Sequence, residues 1–321
     1  MKTTAKAGKA AGKWAATVKL VKKQKTLHLM ALPVVIWLVI FSYIPMLGIQ
    51  IAFKNYKFNE GIWGSEWVGF EHFEDIFNDP FVYDALYNTI GMSLIKVFLL
   101  FPVPILFALL LNEIRNMKFK RVAQTITYFP YFISWPVLAV MLLSWFSPTT
   151  GFINEFLVTT SILDEPYLFF GEPEAFWWMS LFVEMWKATG WGSIVYLAAI
   201  AGIDQEMFEA ATIDGVNRFQ KIVYIILPSI LGTIMVMFIM NVGNMMVGGL
   251  YASNFNFSYL LGNTLNISRS EILETYILKI GVSQGRFSYA TAVGLLQSLV
   301  SVVLLFTANF TSNKITGQKF L

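Results

Sequence analysis

The sequence lacks cysteine altogether and contains only two histidines, His28 and His72, among its 321 residues. Disulfide bonds, thiol catalysis and thiolate metal sites are therefore excluded, and so is a metal site built from several histidines. Charged residues are scarce at 13% of the chain, whereas a soluble domain carries about 25%. The formal net charge of +3 is too small to indicate a nucleic-acid partner. There is no phosphate-binding loop of the G-x-x-x-x-G-K-[ST] type, so this chain is not expected to hydrolyse ATP.

Hydrophobic residues make up 56% of the chain and are concentrated in long runs. A membrane-spanning helix needs about 20 mainly apolar residues in succession. Six stretches reach that length, at residues 29–53, 86–111, 122–146, 176–201, 222–247 and 287–311. The composition therefore predicts an all-α integral membrane protein with six transmembrane helices.

The charge between these stretches alternates in sign. Residues 1–28 contain eight lysines and no acid, and residues 112–121 are also basic. Residues 54–85 carry seven acids against two lysines, and residues 147–175 carry five acids and no base. Because Lys and Arg concentrate in cytoplasmic loops, this alternation places both termini and the loop at 204–221 in the cytoplasm. The first stretch is too long for a signal-peptide core and lacks a cleavage pattern, so it is expected to be an uncleaved span.

The loop at 204–221 contains signals for two short helices separated by a turn. Asp204 can cap the first helix, and Gly215 can adopt the left-handed conformation that ends it. Asn217, with Gln220 three residues later, has the spacing of a capping box that opens the second helix. Unsatisfied polar groups are costly in hydrocarbon, so a loop this charged is expected in water or against another protein.

The same loop and its surroundings resemble a known motif. Glu209-Ala210-Ala211, Gly215 and Ile225-x-Leu227-Pro228 have the spacing of the EAA motif in permease subunits of binding-protein-dependent ABC importers. Other segments resemble the carbohydrate-uptake branch of these permeases. They are Ala85-Leu86-x-Asn88-Thr89, Trp186-Lys187-x-x-Gly190, Asp214-Gly215 and Phe287-Ser288-Tyr289-Ala290-Thr291-Ala292-x-Gly294.

The resemblance covers about residues 30–312 and is closest to permeases for oligosaccharides and polysaccharide fragments. It implies the type I ABC importer permease fold. In that arrangement residues 1–28 form a basic cytoplasmic tail, and residues 29–84 form the first span and an acidic outward loop. Residues 85–312 form the permease core, and residues 313–321 form a short cytoplasmic tail.

The resemblance also implies partners. Coupling to a cytoplasmic ATPase is assigned to Glu209, Ala210, Ala211, Asp214 and Gly215 in the EAA loop. The expected partners are a second homologous permease subunit, two ATPase subunits, an extracytoplasmic solute-binding protein, an oligosaccharide substrate and the lipid bilayer of a bacterial cell. No metal and no cofactor are expected on this chain, because ATP and magnesium would bind to the ATPase.

Three charges lie within the predicted spans at similar depth: Lys96, Glu184 and Lys187. Each costs at least about 2.5 kcal/mol on insertion scales, so pairing or a wet cavity is expected. Glu184 and Lys187, at i and i+3, can neutralise each other. Lys96 then needs another partner or water. Structural pairing and contact with substrate remain alternatives for all three residues.

Two spans are predicted to bend, at Pro102 and Pro104 in the second and at Pro130 and Pro136 in the third. The outward segment at 248–286 is predicted to contain short interfacial helices. With the other outward loops it is a candidate dock for a solute-binding protein. Simple capping of the helix ends is the alternative.

A path for sugars needs uncharged hydrogen-bonding groups and flat apolar faces, because a sugar ring presents both hydroxyls and C–H faces. Asn241, Asn244 and Gln297 are the candidate path residues within the spans. An asparagine in a span can equally bond to a neighbouring helix.

The sequence therefore predicts a non-catalytic permease subunit that forms half of the translocation path of an ATP-driven sugar importer, working by alternating access. The alternative is a membrane assembly or sensory protein that docks an ATPase through the EAA loop without carrying solute. An intramembrane enzyme such as a glycosyltransferase is a third possibility, but no clustered pair of acids is found at the cytoplasmic surface.

Overall fold

The computed structural model describes residues 23–317, without the side chains of Ile315 and Thr316. Most of the basic N-terminal tail and the end of the C-terminal tail therefore lie outside the described residues. The chain forms two compact units that divide between Gly69 and Phe70.

The first unit contains one long helical segment followed by a small β-ribbon. The segment is built from α1 (Lys25–Leu38), a π-helical turn (Val39–Tyr43), α2 (Ile44–Met46) and a 3-10 turn (Leu47–Phe53). Strands β1 (Lys54–Asn55) and β2 (Glu66–Trp67) flank α3 (Gly61–Gly64) and pair antiparallel, with Lys54 opposite Trp67. The Phe53 and Trp67 rings stack 5.8 Å apart. This ribbon is a small exception to the predicted all-α architecture.

The second unit is helical among the residues described. Its first half comprises α4 (Glu71–Phe77), α5 (Pro80–Ile95), a π-helical turn (Lys96–Leu100), α6 (Pro102–Glu113), α7 (Met117–Tyr128), a 3-10 turn (Phe129–Phe132), α8 (Trp135–Trp145) and α9 (Phe152–Thr159). Its middle comprises α10 (Pro173–Ala201), α11 (Gln205–Ile213), α12 (Arg218–Lys221), a π-helical turn (Ile222–Ile226), α13 (Leu227–Gly243) and a 3-10 turn (Met245–Val247). Its last part comprises α14 (Asn254–Leu261), α15 (Ile267–Ser270), α16 (Leu273–Leu278), a π-helical turn (Lys279–Ser283) and α17 (Phe287–Thr316).

Most of the predicted spans correspond to long apolar helices. Within residues 23–317, four helices are long and apolar enough to cross a membrane: Lys25–Phe53, Pro80–Glu113, Arg218–Gly243 and Phe287–Lys314. Helix α10, which contains the predicted fourth span, has 29 residues and is therefore about 43 Å long. Its embedded charges and glycines make it less apolar than the other four. The six-span count and the orientation of the termini stay predictions.

The bend predicted for the third segment is present, whereas the bend predicted at Pro102 and Pro104 stays a prediction. The third membrane segment is broken, and its two parts, Met117–Phe132 and Trp135–Trp145, meet at 99°. The second segment, Pro80–Glu113, is one helical segment with a π-helical turn at Lys96–Leu100, separated from Pro102 by Phe101. A proline has no amide hydrogen and its ring crowds the preceding turn, so a widened turn accommodates it within a continuous helix.

Two buried clusters hold the second unit together. The first joins α5, α8, α10 and α14 through residues such as Met92, Leu138, Phe176 and Phe257. The second joins α6, α10 and the start of the fifth segment, and Tyr196 is fully buried in it. The short helices predicted within residues 248–286 are α14, α15 and α16. Because α14 belongs to the first cluster, this segment is part of the core as well as a connection between helices.

Candidate functional site

A cavity of about 640 Å³ lies between four segments of the second unit. One wall is the break of the third membrane segment, and another is the middle of α10. The remaining walls come from α13, through Met237 and Met240, and from the irregular segment that precedes α14. Pockets that bind small molecules have this character, with mainly apolar walls and a few placed polar groups.

Aromatic rings dominate the wall at the break. Tyr131 and Trp191 stack with their ring centroids 4.6 Å apart and their planes at 6°. Phe132 meets Trp191 edge-on at 5.5 Å, which fixes the orientation of the indole. Trp135 completes this wall. Tyr131 and Trp191 are each 38% exposed, so flat faces remain available to a ligand.

A buried ion pair lies behind the cavity wall. The Lys96 Nζ atom is 2.8 Å from Glu184 Oε2, and the two side chains are 3% and 1% exposed. Lys96 also donates to Asn254 Oδ1 at 2.5 Å, and Asn254 Nδ2 donates to Ser93 Oγ at 2.8 Å. The second oxygen of Glu184 accepts the Ser253 N–H at 3.1 Å. The pair therefore connects the second span, the fourth span and the start of α14.

Lys187 does not pair with Glu184, contrary to the expectation from their i, i+3 spacing. Its ammonium instead donates to the carbonyl oxygens of Pro130, Tyr131 and Ile133, at 3.2, 2.9 and 2.5 Å. These carbonyls lie at the break, where a helix end leaves carbonyls in need of other donors. The Pro130 carbonyl also accepts the Ile133 N–H at 3.2 Å. Lys187 reaches them because Glu184 is engaged by Lys96 on the second span.

Gly190, one turn further along α10, permits close contact between α10 and α7. A Cβ atom at this position would overlap the backbone carbonyl of Thr127 on α7. The two helix backbones therefore touch here. Two residues of the Trp186-Lys187-x-x-Gly190 segment thus have structural roles. Lys187 donates to the carbonyls at the break of the third segment, and Gly190 lets α10 approach α7, the helix before the break.

The described residues that line the cavity do not include the three amides predicted for the path, Asn241, Asn244 and Gln297. Asn241 Oδ1 accepts the Leu250 N–H at 2.8 Å, and Gln297 Nε2 donates to the Met246 carbonyl at 3.1 Å. Asn244 is exposed and donates to the Met240 carbonyl of its own helix at 2.8 Å. Asn241 and Gln297 thus brace the backbone beside the cavity.

The individual residues of the aromatic wall were not identified from the sequence. Its signal was present, because Tyr131, Phe132 and Trp135 fall between Pro130 and Pro136. Two prolines so close together predict a break, and a break exposes side chains that a continuous helix would bury.

The loop at 204–221 has the predicted caps. Asp204 Oδ1 accepts the Glu206 N–H at 3.0 Å, and Gly215 has a φ of +72°. Asn217 and Gln220 form a complete capping box. Between these caps lies α11, which carries Glu209-Ala210-Ala211.

The two alanines of α11 differ in their surroundings. Glu209, Ala210 and Asp214 are exposed, whereas Ala211 is 5% exposed and packs within the chain. Ile213, at the end of the helix, is 87% exposed. The exposed surface of α11 therefore includes Glu209, Ala210 and Ile213, whereas Ala211 packs inward.

Another motif segment, at residues 85–89, holds the backbone of α15 and the start of α16. Asn88 Nδ2 donates to the carbonyls of Ser268 and Glu271, at 3.0 and 2.9 Å. Thr89 Oγ1 accepts the Leu273 N–H at 2.9 Å. These bonds satisfy the backbone between α15 and α16 from the second span.

Asp79, at the start of α5, connects to α16 and α17. Its Oδ2 atom accepts hydroxyl hydrogen bonds from Tyr276 at 2.5 Å and from Tyr289 at 2.6 Å. Burial raises the pKa of the Asp79 carboxyl, but the two hydroxyls, the Phe81 N–H and the nearby Arg286 outweigh it and leave the pKa below its usual value.

Comparison with known proteins identifies the class. Residues 101–316 match the family described as the inner membrane component of binding-protein-dependent transport systems. The chain belongs to this family and is a multi-pass membrane protein with the permease fold predicted from its motifs.

Individual relatives extend the match over nearly the whole chain. The chain is 40% identical to protein LplB of Bacillus subtilis (strain 168) over 304 residues, covering 95% of this chain and 93% of LplB. It is 39% identical to the polygalacturonan/rhamnogalacturonan transport system permease protein YteP of the same organism, covering 92% and 90% of the two chains.

Solved structures agree. A chain of a bacterial ABC transporter involved in import of the acidic polysaccharide alginate aligns with a TM-score of 0.84 at 34% identity, over 94% of this chain and 99% of that chain. The same transporter type in complex with an alginate pentasaccharide-bound periplasmic protein aligns with the same score over 94% and 98%.

Proposed function

We propose that this chain is one permease subunit of an ATP-driven importer of oligosaccharides derived from polysaccharides. It forms half of the translocation path beside a second permease subunit. Two ATPase subunits supply the energy, and an extracytoplasmic solute-binding protein delivers the cargo. The family membership, the YteP relative and the alginate importer structures support this proposal.

The stacked rings of Tyr131 and Trp191 are the observation that carries the proposal for sugars. A pyranose ring has an apolar C–H face that packs on an aromatic plane, and its hydroxyls point sideways to water or backbone groups. Both rings line the cavity, beside a wall whose single carboxylate, Glu184, is already paired with Lys96. A sugar can therefore pass with many weak contacts and without tight binding.

Coupling is proposed to run through α11. This helix is short, begins at the Asp204 cap and is followed by the left-handed Gly215. It exposes Glu209, Ala210 and Ile213. A short rigid helix of this kind can enter a cleft on an ATPase and transmit its movement to the fifth span, which begins only a few residues later at Arg218.

Uptake by the reconstituted transporter tests the function. The chain is co-purified with its partner permease and ATPase, placed in proteoliposomes with the solute-binding protein, and supplied with labelled oligosaccharides and ATP. We expect uptake, and we expect Trp191→Ala to reduce it by roughly two- to tenfold, because one aromatic contact contributes about 0.5–1.5 kcal/mol.

Trp178→Ala is the matched control. Trp178 lies on the same helix, is 49% exposed and is absent from the cavity lining, so its removal should leave uptake unchanged. If the complex assembles and hydrolyses ATP but moves none of the saccharides tested, the alternative of an assembly or sensory protein replaces this proposal.

A further inference from the structure

The segment between α13 and α14 forms one wall of the cavity, and we call residues 248–253 the strap. Leu250, Tyr251, Ala252 and Ser253 all line the cavity. The strap has no helical or strand structure beyond the turn at its start. Irregular backbone at membrane depth is tolerated where it is buried in protein or lines a cavity. Since no ladder of backbone bonds fixes the strap, its position depends on what holds its two ends.

The first end is held by two glycines and two amides. Gly248 and Gly249 have φ values of +108° and +96°. A Cβ atom at Gly249 would lie 2.6 Å from Asn241 Oδ1, the atom that accepts the Leu250 N–H. Gln297 Nε2 donates to the carbonyl of Met246, just before the strap. The chain therefore turns sharply and is clamped as it leaves α13.

The second end is held by the buried ion pair. Glu184 Oε1 accepts the N–H of Ser253, the last residue of the strap. The next residue, Asn254, accepts a hydrogen bond from Lys96, which is also the ion-pair partner of Glu184. Hydrogen bonds to a charged group are stronger than neutral ones. The pair thus does more than neutralise two charges, because both partners hold the junction of the strap with α14.

We propose that Glu184 is a positioning residue, which with Lys96 fixes the strap and thereby sets the width of the cavity. The consequence for transport is a limit on the bulk of the saccharide that passes. The statement about cargo rests on the proposed function, whereas the statement about the strap does not.

The absence of cysteine from the chain allows a direct test. A single cysteine is introduced in the assembled transporter by Ala252→Cys on the partly exposed strap. Ala188→Cys on the more deeply buried α10 wall is the control. The rate of reaction of each cysteine with a small maleimide then reports how freely that wall moves. Each cysteine substitution is combined with Lys96→Met/Glu184→Met or with Lys96→Met/Glu184→Gln.

These two double variants differ in one respect. Both remove the buried charges, which avoids an unpaired ion, and replacement of a buried ion pair by apolar side chains is often tolerated. Only glutamine keeps an oxygen for the Ser253 N–H. We expect the strap thiol to be labelled roughly two- to tenfold faster in the Met/Met variant than in the Met/Gln variant, the effect of about one neutral hydrogen bond. Labelling of the control thiol on α10 should stay the same in both.

Equal labelling rates of the strap thiol in the two variants and in the wild-type background overturn the proposal. So does a parallel increase for the control thiol on α10, which would show general loosening. If the Met/Met variant does not fold, the Met/Gln variant against wild type asks the same question, with faster labelling of the strap thiol expected because a neutral acceptor replaces a carboxylate.

Uptake of a disaccharide and a pentasaccharide of the same sugar tests the cargo limit. The Met/Met variant should raise the ratio of pentasaccharide to disaccharide uptake at least about twofold over wild type. An unchanged ratio with faster labelling overturns the limit on bulk and leaves the strap anchored as proposed. If even wild type moves neither sugar, the proposed function fails, and the labelling result still decides the role of Glu184.

Discussion

The ammonium of Lys187 lies 2.5 Å from the carbonyl oxygen of Ile133, at the break where the third membrane segment turns by 99°. A side chain of the fourth span therefore completes the hydrogen bonding of the third. The last carbonyls of a helix lack partners, and a positive charge near them is favoured by the helix dipole. The aromatic wall of the cavity is attached to this break, so the position of Tyr131 depends on Lys187.

Lys187→Met should destabilise the protein strongly. It removes a donor shared by three carbonyls, of which the Pro130 carbonyl keeps the Ile133 N–H, and a buried unsatisfied polar group costs about 1–3 kcal/mol. We expect a loss of at least about 2 kcal/mol, measured as a lower melting temperature in detergent. Lys57→Met is the control, because Lys57 is half exposed in a surface pair with Glu60 and such pairs contribute little. Equal melting temperatures for the two variants would contradict this role for Lys187.

Gly190→Ala should destabilise the contact between α7 and α10. The new methyl group would meet the backbone of Thr127, which cannot move aside as a side chain can. Overpacking of this kind costs about 1–3 kcal/mol. Gly294→Ala on α17 is the matched control, because its nearest neighbour would be Ile277 at 3.9 Å and alanine favours the helix by up to about 1 kcal/mol. A thermal unfolding series should separate the two in opposite directions.

Local features of this chain were predictable from sequence because they depend on neighbouring residues. The long apolar helices follow from run length, the break of the third segment from Pro130 and Pro136, and the capping box from Asn217 and Gln220. Each is settled within one or two helical turns, where spacing and residue type contain the required information.

The cavity was not predictable in the same way, because it depends on which helix faces meet. Spacing favoured a pair between Glu184 and Lys187, but Lys96 on another span is the partner of Glu184. Polarity marked Asn241 and Gln297 as path residues, yet it did not indicate the direction in which their amides point. Both turn toward backbone groups beside the strap, and their place in the path stays a prediction.

Glu274 should make stability depend on pH. It lies on α16, its Oε2 atom has no hydrogen bond, and burial raises its pKa from 4.5 to about 7. Between these values the folded protein keeps a proton that the unfolded chain has lost. The contribution of Glu274 to the free energy of unfolding is therefore most favourable below about pH 4.5. It becomes less favourable as the pH rises to about 7.

Glu274→Gln should remove that dependence. We expect the variant to gain about 2 kcal/mol at pH 8 relative to wild type, a figure reduced because the side chain is only partly buried. Melting temperatures measured from pH 5 to pH 8 test it. Glu174→Gln is the control, since Glu174 is 84% exposed and should leave the profile unchanged. A wild-type profile that rises with pH while that of Glu274→Gln stays flat would contradict the assignment.

The adjacent alanines of α11 should respond differently to enlargement. Ala210 is exposed beside Glu209, whereas Ala211 is buried within the chain. Ala210→Arg should leave the melting temperature of the isolated subunit unchanged, because an exposed helical position accepts arginine readily. On the assembled transporter it should reduce saccharide-stimulated ATPase activity about tenfold, equivalent to about 1.4 kcal/mol, because a long charged side chain separates α11 from the ATPase.

Ala211→Leu is the comparison that distinguishes a lost contact with the ATPase from a destabilised loop. It adds volume at a buried position, so it should lower the melting temperature of the isolated subunit by the equivalent of about 1–3 kcal/mol. A loss of activity with lowered stability is then the signature of a damaged loop, and a loss with full stability is the signature of a lost contact. If Ala210→Arg keeps full stimulated activity, the exposed surface of α11 is not where the ATPase docks, and the coupling role inferred from the EAA motif fails.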